Sequence, residues 1–147
     1  MLYIASDHAG FQLKKYLIRY LKNQLKKKVV DLGPKKYNDQ DDFPDFAIPL
    51  SKKVVANKDN LGILLCGAAH GVCIAANKVK GARASIGYSI EGAERGRKED
   101  HLNILCLAGR FLSDDHAAAI VKIFLESKPD MTEKRTRRLK KIAAIEK

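Results

Sequence analysis

Short apolar runs alternate along this chain with longer segments in which apolar residues recur at every third or fourth position. The short runs predict five β-strands, over residues 2–5, 29–32, 61–65, 82–87 and 104–108. The longer segments predict helices over about 13–25, 44–57, 71–79, 90–98, 114–127 and 132–145. This alternation is typical of an α/β protein, in which helices cover both faces of one parallel, doubly wound sheet.

Several details refine this prediction. The run at 61–65 is apolar throughout, as in a strand that helices cover on both faces. The lysines of the first helix, including Lys14, are expected on the side opposite its apolar residues. Asp114 and Asp115 are expected to supply the cap and the acidic first turn of the fifth helix. Because the chain has 147 residues and no linker-like segment, we expect one domain over residues 1–147.

Ligands of open α/β sheets bind beyond the carboxyl ends of the strands. The candidate site residues are therefore those that follow the predicted strands. These are Asp7 and His8, residues 66–71, residues 87–89, and Gly109 with Arg110.

The chain is strongly basic, with 28 lysines and arginines against 17 aspartates and glutamates, a net charge of +11. A basic surface favours anionic partners such as phosphorylated metabolites, nucleic acids or acidic membranes. No RNA-binding motif or aromatic-studded basic patch is present, so we expect no nucleic-acid partner. No apolar run approaches the roughly 20 residues of a membrane span, and the first residues do not read as a signal peptide. These features predict a cytoplasmic protein with no membrane partner.

Three cysteines, Cys66, Cys73 and Cys106, cannot all pair with one another, and none belongs to a CxxC or zinc-binding pattern. We therefore expect reduced thiols and no bound metal. Cys73 and Cys106 lack a placement at the start of a turn, and we expect them to serve packing.

Cys66 ends a predicted strand, and a turn of small residues at 67–71 follows it. Small side chains let the backbone approach a ligand, and N–H groups at a helix start attract anions. The positive end of the helix also favours the thiolate form of a cysteine. A thiolate beside such a turn can remove a proton next to a carbonyl, while the amides hold the resulting enediolate. A buried cysteine before an ordinary strand–helix turn would fit the same spacing.

Asp7 and His8 also follow a predicted strand. An aspartate can orient a sugar hydroxyl, and a histidine can bind phosphate or transfer a proton near neutral pH. The same two residues would equally suit a cap on the first helix.

Several motifs, taken in order, resemble the ribose-5-phosphate isomerase B family, which also includes the galactose-6-phosphate isomerase subunits. The motifs are SDHAG at 6–10, CGxxxGxxIAANK at 66–78, GARA at 81–84, NILxLAGR at 103–110 and IAAIE at 142–146. The resemblance covers nearly the whole chain. It implies a single Rossmann-like domain with a five-stranded parallel sheet and a C-terminal basic helix. It further implies a homodimer, with a tetramer as the alternative, and no metal or organic cofactor.

The resemblance also implies a reaction, the interconversion of an aldose phosphate and a ketose phosphate through a cis-enediolate. The expected substrate is a sugar phosphate, ribose 5-phosphate, with ribulose 5-phosphate as product. Cys66 would move the proton between C1 and C2, Asp7 would bind the reacting hydroxyls, and His8 would bind the phosphate. The remaining implied substrate contacts come from Gly67, Ala68, Gly71, Asp100, Arg110, Lys134 and Arg138.

The chain departs from the family pattern at several of these positions. Glu99 and Asp100 replace a His-Asn pair whose histidine opens the sugar ring from the partner subunit. Glu99 could act there instead, or His101 could if the segment is a loop, and the same sequence would fit a segment in which neither residue is catalytic. Lys134 and Arg138 match two arginines that clamp the phosphate of the neighbouring subunit, and they lie one helical turn apart.

The turn after Cys66 departs as well. Ala68 and Ala69 stand where the family carries threonine and glycine, and Phe43 stands where a tyrosine is common. His70 is an added imidazole, which could contact the phosphate or face the solvent. Arg135 could compensate for the arginine that Lys134 replaces.

Two alternative functions fit parts of the pattern. A divergent relative would isomerise a different sugar phosphate, or bind a sugar phosphate or nucleotide without proton exchange. A dinucleotide-dependent enzyme fits less well, because no GxGxxG follows the first strand.

Overall fold

The computed structural model describes residues 1–146. Five parallel strands form one sheet: β1 (Leu2–Ser6), β2 (Val30–Asp31), β3 (Leu61–Cys66), β4 (Ala84–Ile86) and β5 (Ile104–Ala108). The helices are α1 (Phe11–Asn23), α2 (Pro44–Val55), α3 (His70–Asn77), α4 (Ile90–Glu99), α5 (Asp114–Glu126) and α6 (Glu133–Ala143). The strand order β2-β1-β3-β5-β4 confirms the predicted doubly wound α/β fold. In residues 1–146 we find no helix with the length and hydrophobicity that a membrane crossing requires.

The apolar core has two layers, one on each face of the sheet. Helices α2 and α3 cover one face, and α1, α4 and α5 cover the other. Because side chains alternate along a strand, Leu64 of β3 enters the first layer and Leu65 the second. This alternation also places Cys66 in the layer under α2 and α3.

Strands β1 and β3 are neighbours from which the chain departs in opposite directions. After β1 the chain forms β2 on one side of β1, and it then crosses back to form β3 on the other side. A crevice therefore opens where β1 and β3 end. Ser6 and Leu65 are register partners at that point. Residues 7–10 and 66–71 therefore lie side by side beyond the sheet.

Several predicted boundaries were wrong in detail, and β4 has three residues rather than the six of 82–87. Strand β2 has two residues rather than four, although the Leu32 N–H still donates to the Ile4 carbonyl and the Ser6 N–H to the Gly33 carbonyl. Ser113, and not Asp114, caps α5, since its side chain accepts a hydrogen bond from the His116 N–H at 3.2 Å. Asp114 and Asp115 do form the acidic first turn of that helix, as predicted.

The prediction for Lys14 was also wrong, because this side chain is 1% exposed. Its Nζ donates to Asp31 Oδ1 at 2.8 Å and to the Pro34 carbonyl at 2.7 Å. Burial lowers the pKa of Lys14, and the hydrogen bond to Asp31 opposes that shift. Lys14 thus ties α1 to the segment after β2.

Helix α6 lies apart from both core layers, and none of its residues is buried. Leu139 and Ile142 of this helix line a cavity of about 450 Å³ together with Arg83, Asp100 and Leu102. These last residues flank the starts of β4 and β5, so α6 lies at the amino ends of the strands.

Candidate active site

The ends of β1, β3 and β5 form a hydrogen-bonded platform that we call the carboxyl edge. The Asp7 N–H donates to the Leu65 carbonyl at 3.1 Å, and the Gly109 N–H donates to the Cys66 carbonyl at 2.8 Å. The Arg110 N–H donates to the Gly67 carbonyl at 3.0 Å. The backbone that follows these three strands is therefore held in one fixed arrangement.

Cys66 is the last residue of β3 and is 6% exposed. The chain then turns through residues 67–69 into α3, which begins at His70. Ala69 adopts a left-handed conformation with φ of +68° at the N-cap. We refer to residues 66–71 as the Cys66 turn.

The backbone N–H groups of residues 67–72 are the main chemical feature of this turn. None of them donates a hydrogen bond to any acceptor within residues 1–146. Gly67 and Ala69 are buried, and buried amides are almost always paired with protein, water or ligand. A run of such donors at a helix start is an anion-binding arrangement.

Two side chains lie directly over the turn. The Arg110 guanidinium is so near Gly67 that a Cβ there would lie 3.0–3.1 Å from its atoms. The Phe43 ring leaves only 2.8 Å for a Cβ at Gly71. A Cβ at either place would require the side chain above it to shift, and Arg110 brings a positive charge to the turn. His70 is exposed, which fits both a phosphate contact and a side chain that faces the solvent.

Asp7 and His8 lie beside the turn and differ in their surroundings. Asp7 is buried, and its Oδ1 accepts from the Gly10 N–H at 3.1 Å, so it does cap the short 3₁₀ turn His8–Gly10. The His8 Nδ1 lies 2.7 Å from Asp41 Oδ1. This hydrogen bond to Asp41 is the largest cause of a raised pKa for His8.

Asp41 is a residue that the sequence reasoning missed. It lies in the polar segment between β2 and α2, which shows no periodic pattern, and nothing in its local sequence distinguishes it from Asp39 or Asp42. Ligand atoms of Asp7, His8 and Asp41 lie within 4.8 Å of one another, a spacing that a cation could use. Since hydrogen bonds engage one atom of each group, we assign no metal to them.

The other candidate residues lie at the opposite end of the strands, which we call the amino edge. Glu99 ends α4, and its Oε1 forms an ion pair with Arg135 at 3.2 Å and accepts a hydrogen bond from Arg95 at 3.3 Å. Asp100 is exposed beside the α6 cavity. His101 is in a loop, as its proposed role requires, but it is 8% exposed and its Nε2 lies 2.7 Å from the Asp130 carbonyl.

Lys134 and Arg138 are exposed residues of α6, one helical turn apart, so the two charges can face one anion. Arg135, in contrast, pairs with Glu99. Strand β5 separates the amino edge from Cys66 by roughly 16 Å, at about 3.3 Å per residue. The candidate residues of one chain therefore form two separate groups, one at the carboxyl edge and one at the amino edge.

The two remaining cysteines lie against each other in the layer under α2 and α3. Cys106 is fully buried, whereas Cys73 is half-buried. A hydrogen bond with Cys106 lowers the pKa of Cys73 to about 7. The same contact, together with burial, raises the pKa of Cys106. Cys73 is therefore more acidic than the packing role predicted for it would require.

Comparison with known proteins gives a consistent result. Residues 2–142 match the model of the family described as Ribose/Galactose Isomerase. The chain is 36% identical to ribose-5-phosphate isomerase B of Mycolicibacterium paratuberculosis over 146 residues, which cover 99% of this chain and 91% of that protein.

Solved structures agree with this match. A ribose-5-phosphate isomerase B from Mycoplasma genitalium, determined with bound ribulose-5-phosphate, is 44% identical with a TM-score of 0.91. That similarity covers 97% of this chain and 93% of the other. The type B ribose 5-phosphate isomerase of Trypanosoma cruzi is 34% identical with a TM-score of 0.93, over 99% and 95% of the two chains. This chain therefore belongs to the ribose/galactose isomerase family.

Proposed function

We propose that this protein is a cofactor-independent aldose–ketose isomerase that converts ribose 5-phosphate into ribulose 5-phosphate. The observation that carries the proposal is the run of amides beside Cys66 that have no partner within residues 1–146, a preformed set of hydrogen-bond donors for an enediolate oxygen. Family membership supports the reaction class, and the ligand of the similar Mycoplasma genitalium structure supports the substrate. We further propose that it acts in the cytoplasm, in the pentose phosphate pathway, where such substrates occur and thiols stay reduced.

In the proposed reaction, Cys66 carries one proton from C2 to C1 of the sugar, and a second proton moves from O2 to O1. The Cys66 thiolate removes the C2 proton of the open-chain aldose, and the electron pair moves through C1 to its oxygen. The amides of the Cys66 turn donate to that negative oxygen, which forms only as the proton leaves. Cys66 then returns the proton to C1, while the hydroxyl proton on O2 passes to O1, giving the ketose.

Other residues of the carboxyl edge support binding of the reacting hydroxyls and of the phosphate. Asp7, with one carboxylate oxygen engaged by the Gly10 amide, can accept a hydrogen bond from a reacting hydroxyl with the other. His8 and Arg110 supply positive charge for the phosphate.

The amino edge supports a homodimer whose active sites are shared. Lys134 and Arg138 cannot reach a substrate held at Cys66 of their own chain, because the full length of β5 lies between them. Two copies related by a twofold axis would place the amino edge of each against the carboxyl edge of the other. Each site would then gain the two cations of a second copy for the substrate phosphate.

We assign ring opening to Glu99 rather than His101. The His101 ring is buried and engaged with the Asp130 carbonyl, whereas the Glu99 side chain is 32% exposed. Exchange of Arg135 for a substrate hydroxyl would release the Glu99 carboxylate for proton transfer.

A panel of five- and six-carbon aldose and ketose phosphates, each tested for isomerisation, checks the proposed function. We expect ribose 5-phosphate and ribulose 5-phosphate to interconvert faster than any other pair. Turnover of a six-carbon pair alone would assign a different substrate, and binding without turnover of any pair would refute the enzyme.

A further inference from the structure

We propose that Asp41 is a positioning residue for His8, holding the imidazole in one orientation and in its doubly protonated form so that Nε2–H donates to the substrate phosphate. The phosphate in this inference rests on the proposed function. The pairing of Asp41 with His8 is independent of it.

The geometry defines which ring atom faces outward. Asp41 Oδ1 accepts from the His8 backbone N–H at 3.0 Å and lies 2.7 Å from the His8 Nδ1. A carboxylate can only accept, so the hydrogen must reside on Nδ1. With both the main chain and Nδ1 held by one oxygen, the ring is fixed and Nε2 is the nitrogen left for a ligand.

Asp41 is itself fixed and poorly solvated. Its side chain is 8% exposed, against 27% for His8, and its N–H donates to the Asn38 carbonyl at 3.3 Å. Its second oxygen, Oδ2, is buried without a partner in residues 1–146. A buried carboxylate with an unpaired oxygen is unfavourable unless a cation faces it, so Asp41 favours the charged form of His8.

The charges around His8 come from three segments and do not cancel. Asp41 contributes from the segment before α2 and Asp7 from the end of β1, and both raise the pKa of His8. Arg110, after β5, opposes them, as does partial burial. Tyr37 packs edge-on against the ring, with 6.4 Å between the ring centres. The net result is a raised pKa, which suits binding of a phosphate that carries nearly two negative charges at neutral pH.

The decisive variant is Asp41→Asn, which keeps an oxygen that accepts both hydrogen bonds and removes the charge. We expect the His8 pKa, followed by NMR of labelled histidine, to fall in this variant. The rise of KM with pH, which begins as His8 loses its proton, should then start at lower pH. At pH 7.5 we expect KM to increase about tenfold, as for loss of one charge-assisted hydrogen bond, with kcat changed less than about twofold.

Asp39→Asn is the matched control, because Asp39 is an exposed carboxylate of the same segment. It should leave the His8 titration and the KM profile unchanged. An unchanged His8 titration in Asp41→Asn would overturn the proposal. So would a KM raised by the same factor at every pH, since that is the mark of a merely structural role.

Binding of inorganic phosphate, followed through the His8 signals, separates this inference from the proposed function. We expect phosphate to bind the wild-type chain and to bind Asp41→Asn more weakly above pH 7. That result would hold even for a chain that isomerises no sugar phosphate. Equal binding to both would refute the role of Asp41 whatever the enzyme's substrate.

Discussion

The two edges of the sheet carry candidate residues in opposite settings. At the carboxyl edge, Cys66 and Asp7 are buried, and hydrogen bonds between strand ends fix the turns around them. At the amino edge, Lys134 and Arg138 are exposed on a helix with no buried residue. The first region is organised within one chain, whereas the second presents its charges to the surroundings.

We propose that this difference reflects a division of labour between the two edges. Stabilising a developing negative charge requires donors that are already in place when the proton moves, which a buried and hydrogen-bonded turn provides. In the proposed site, the exposed cations of α6 from another copy would add to the phosphate contacts of His8 and Arg110. The predictions below test each half of this division.

The largest effect is expected at the carboxyl edge, from Cys66→Ala. Isomerisation should fall by about 10³-fold, within the range for loss of a positioned proton-transfer group. Because only one buried atom is lost, the free energy of unfolding should change by about 1 kcal/mol. Rate assays and thermal unfolding measure the two effects.

Cys73→Ala is the matched control for that variant. Cys73 is half-buried in the same layer and lies outside the Cys66 turn. We expect its activity to stay within about twofold of wild type. An equal loss in both variants would mean that thiol packing, and not proton transfer, supports activity.

Lys14→Met tests how much the buried hydrogen bonds of Lys14 contribute to the free energy of unfolding. Removing this buried cation takes one partner from Asp31, which keeps the Gly33 N–H and Lys35, and leaves the Pro34 carbonyl without the Lys14 hydrogen bond, so the free energy of unfolding should fall by about 2 kcal/mol. Urea unfolding measures the change. The exposed Lys22 provides the control, since Lys22→Met should alter stability by less than about 0.5 kcal/mol.

At the amino edge, Arg138→Ala should raise KM for ribose 5-phosphate by about 10- to 100-fold, as expected for loss of a charged hydrogen bond to phosphate. Steady-state kinetics should show a smaller change in kcat, because Arg138 touches no reacting carbon in the proposed site. Arg137→Ala, a neighbouring exposed residue of α6, should leave KM unchanged. Equal effects of the two variants would reduce the role of α6 to general surface charge.

The smallest effect is expected from Glu99→Gln. Turnover of ring-closed ribose 5-phosphate should fall about tenfold, while an open-chain analogue should be converted at nearly the wild-type rate. Stability should change by less than about 1 kcal/mol, since the ion pair with Arg135 is partly exposed. Equal loss on both substrates would remove ring opening from Glu99.

The fold could be predicted from sequence because its central strands are apolar on both faces, which few other structures tolerate. The run at 61–65 became β3, the middle of the sheet. Lys14 could not be placed this way. By pattern, a lysine of an amphipathic helix is expected on the solvent-exposed face of that helix. Only the tertiary position of Asp31 makes burial of Lys14 favourable.

The site was predictable to a similar degree. Residues that follow strands, such as Asp7 and Cys66, come together at the carboxyl edge as the topology requires. Asp41 could not be found, because a contact between a loop residue and His8 depends on how an irregular segment folds back. The separation of Glu99 from Cys66 by the length of β5 likewise became visible only once the strand order was known.

Mixed dimers test the central claim most directly. One copy would carry Cys66→Ala and the other Lys134→Ala with Arg138→Ala, each with a different tag so that only mixed dimers are purified. In a shared site, every mixed dimer contains one intact site and one doubly defective site, so about half of the wild-type activity should return. Mixed dimers no more active than the two parent variants would contradict a site built from both edges of the sheet.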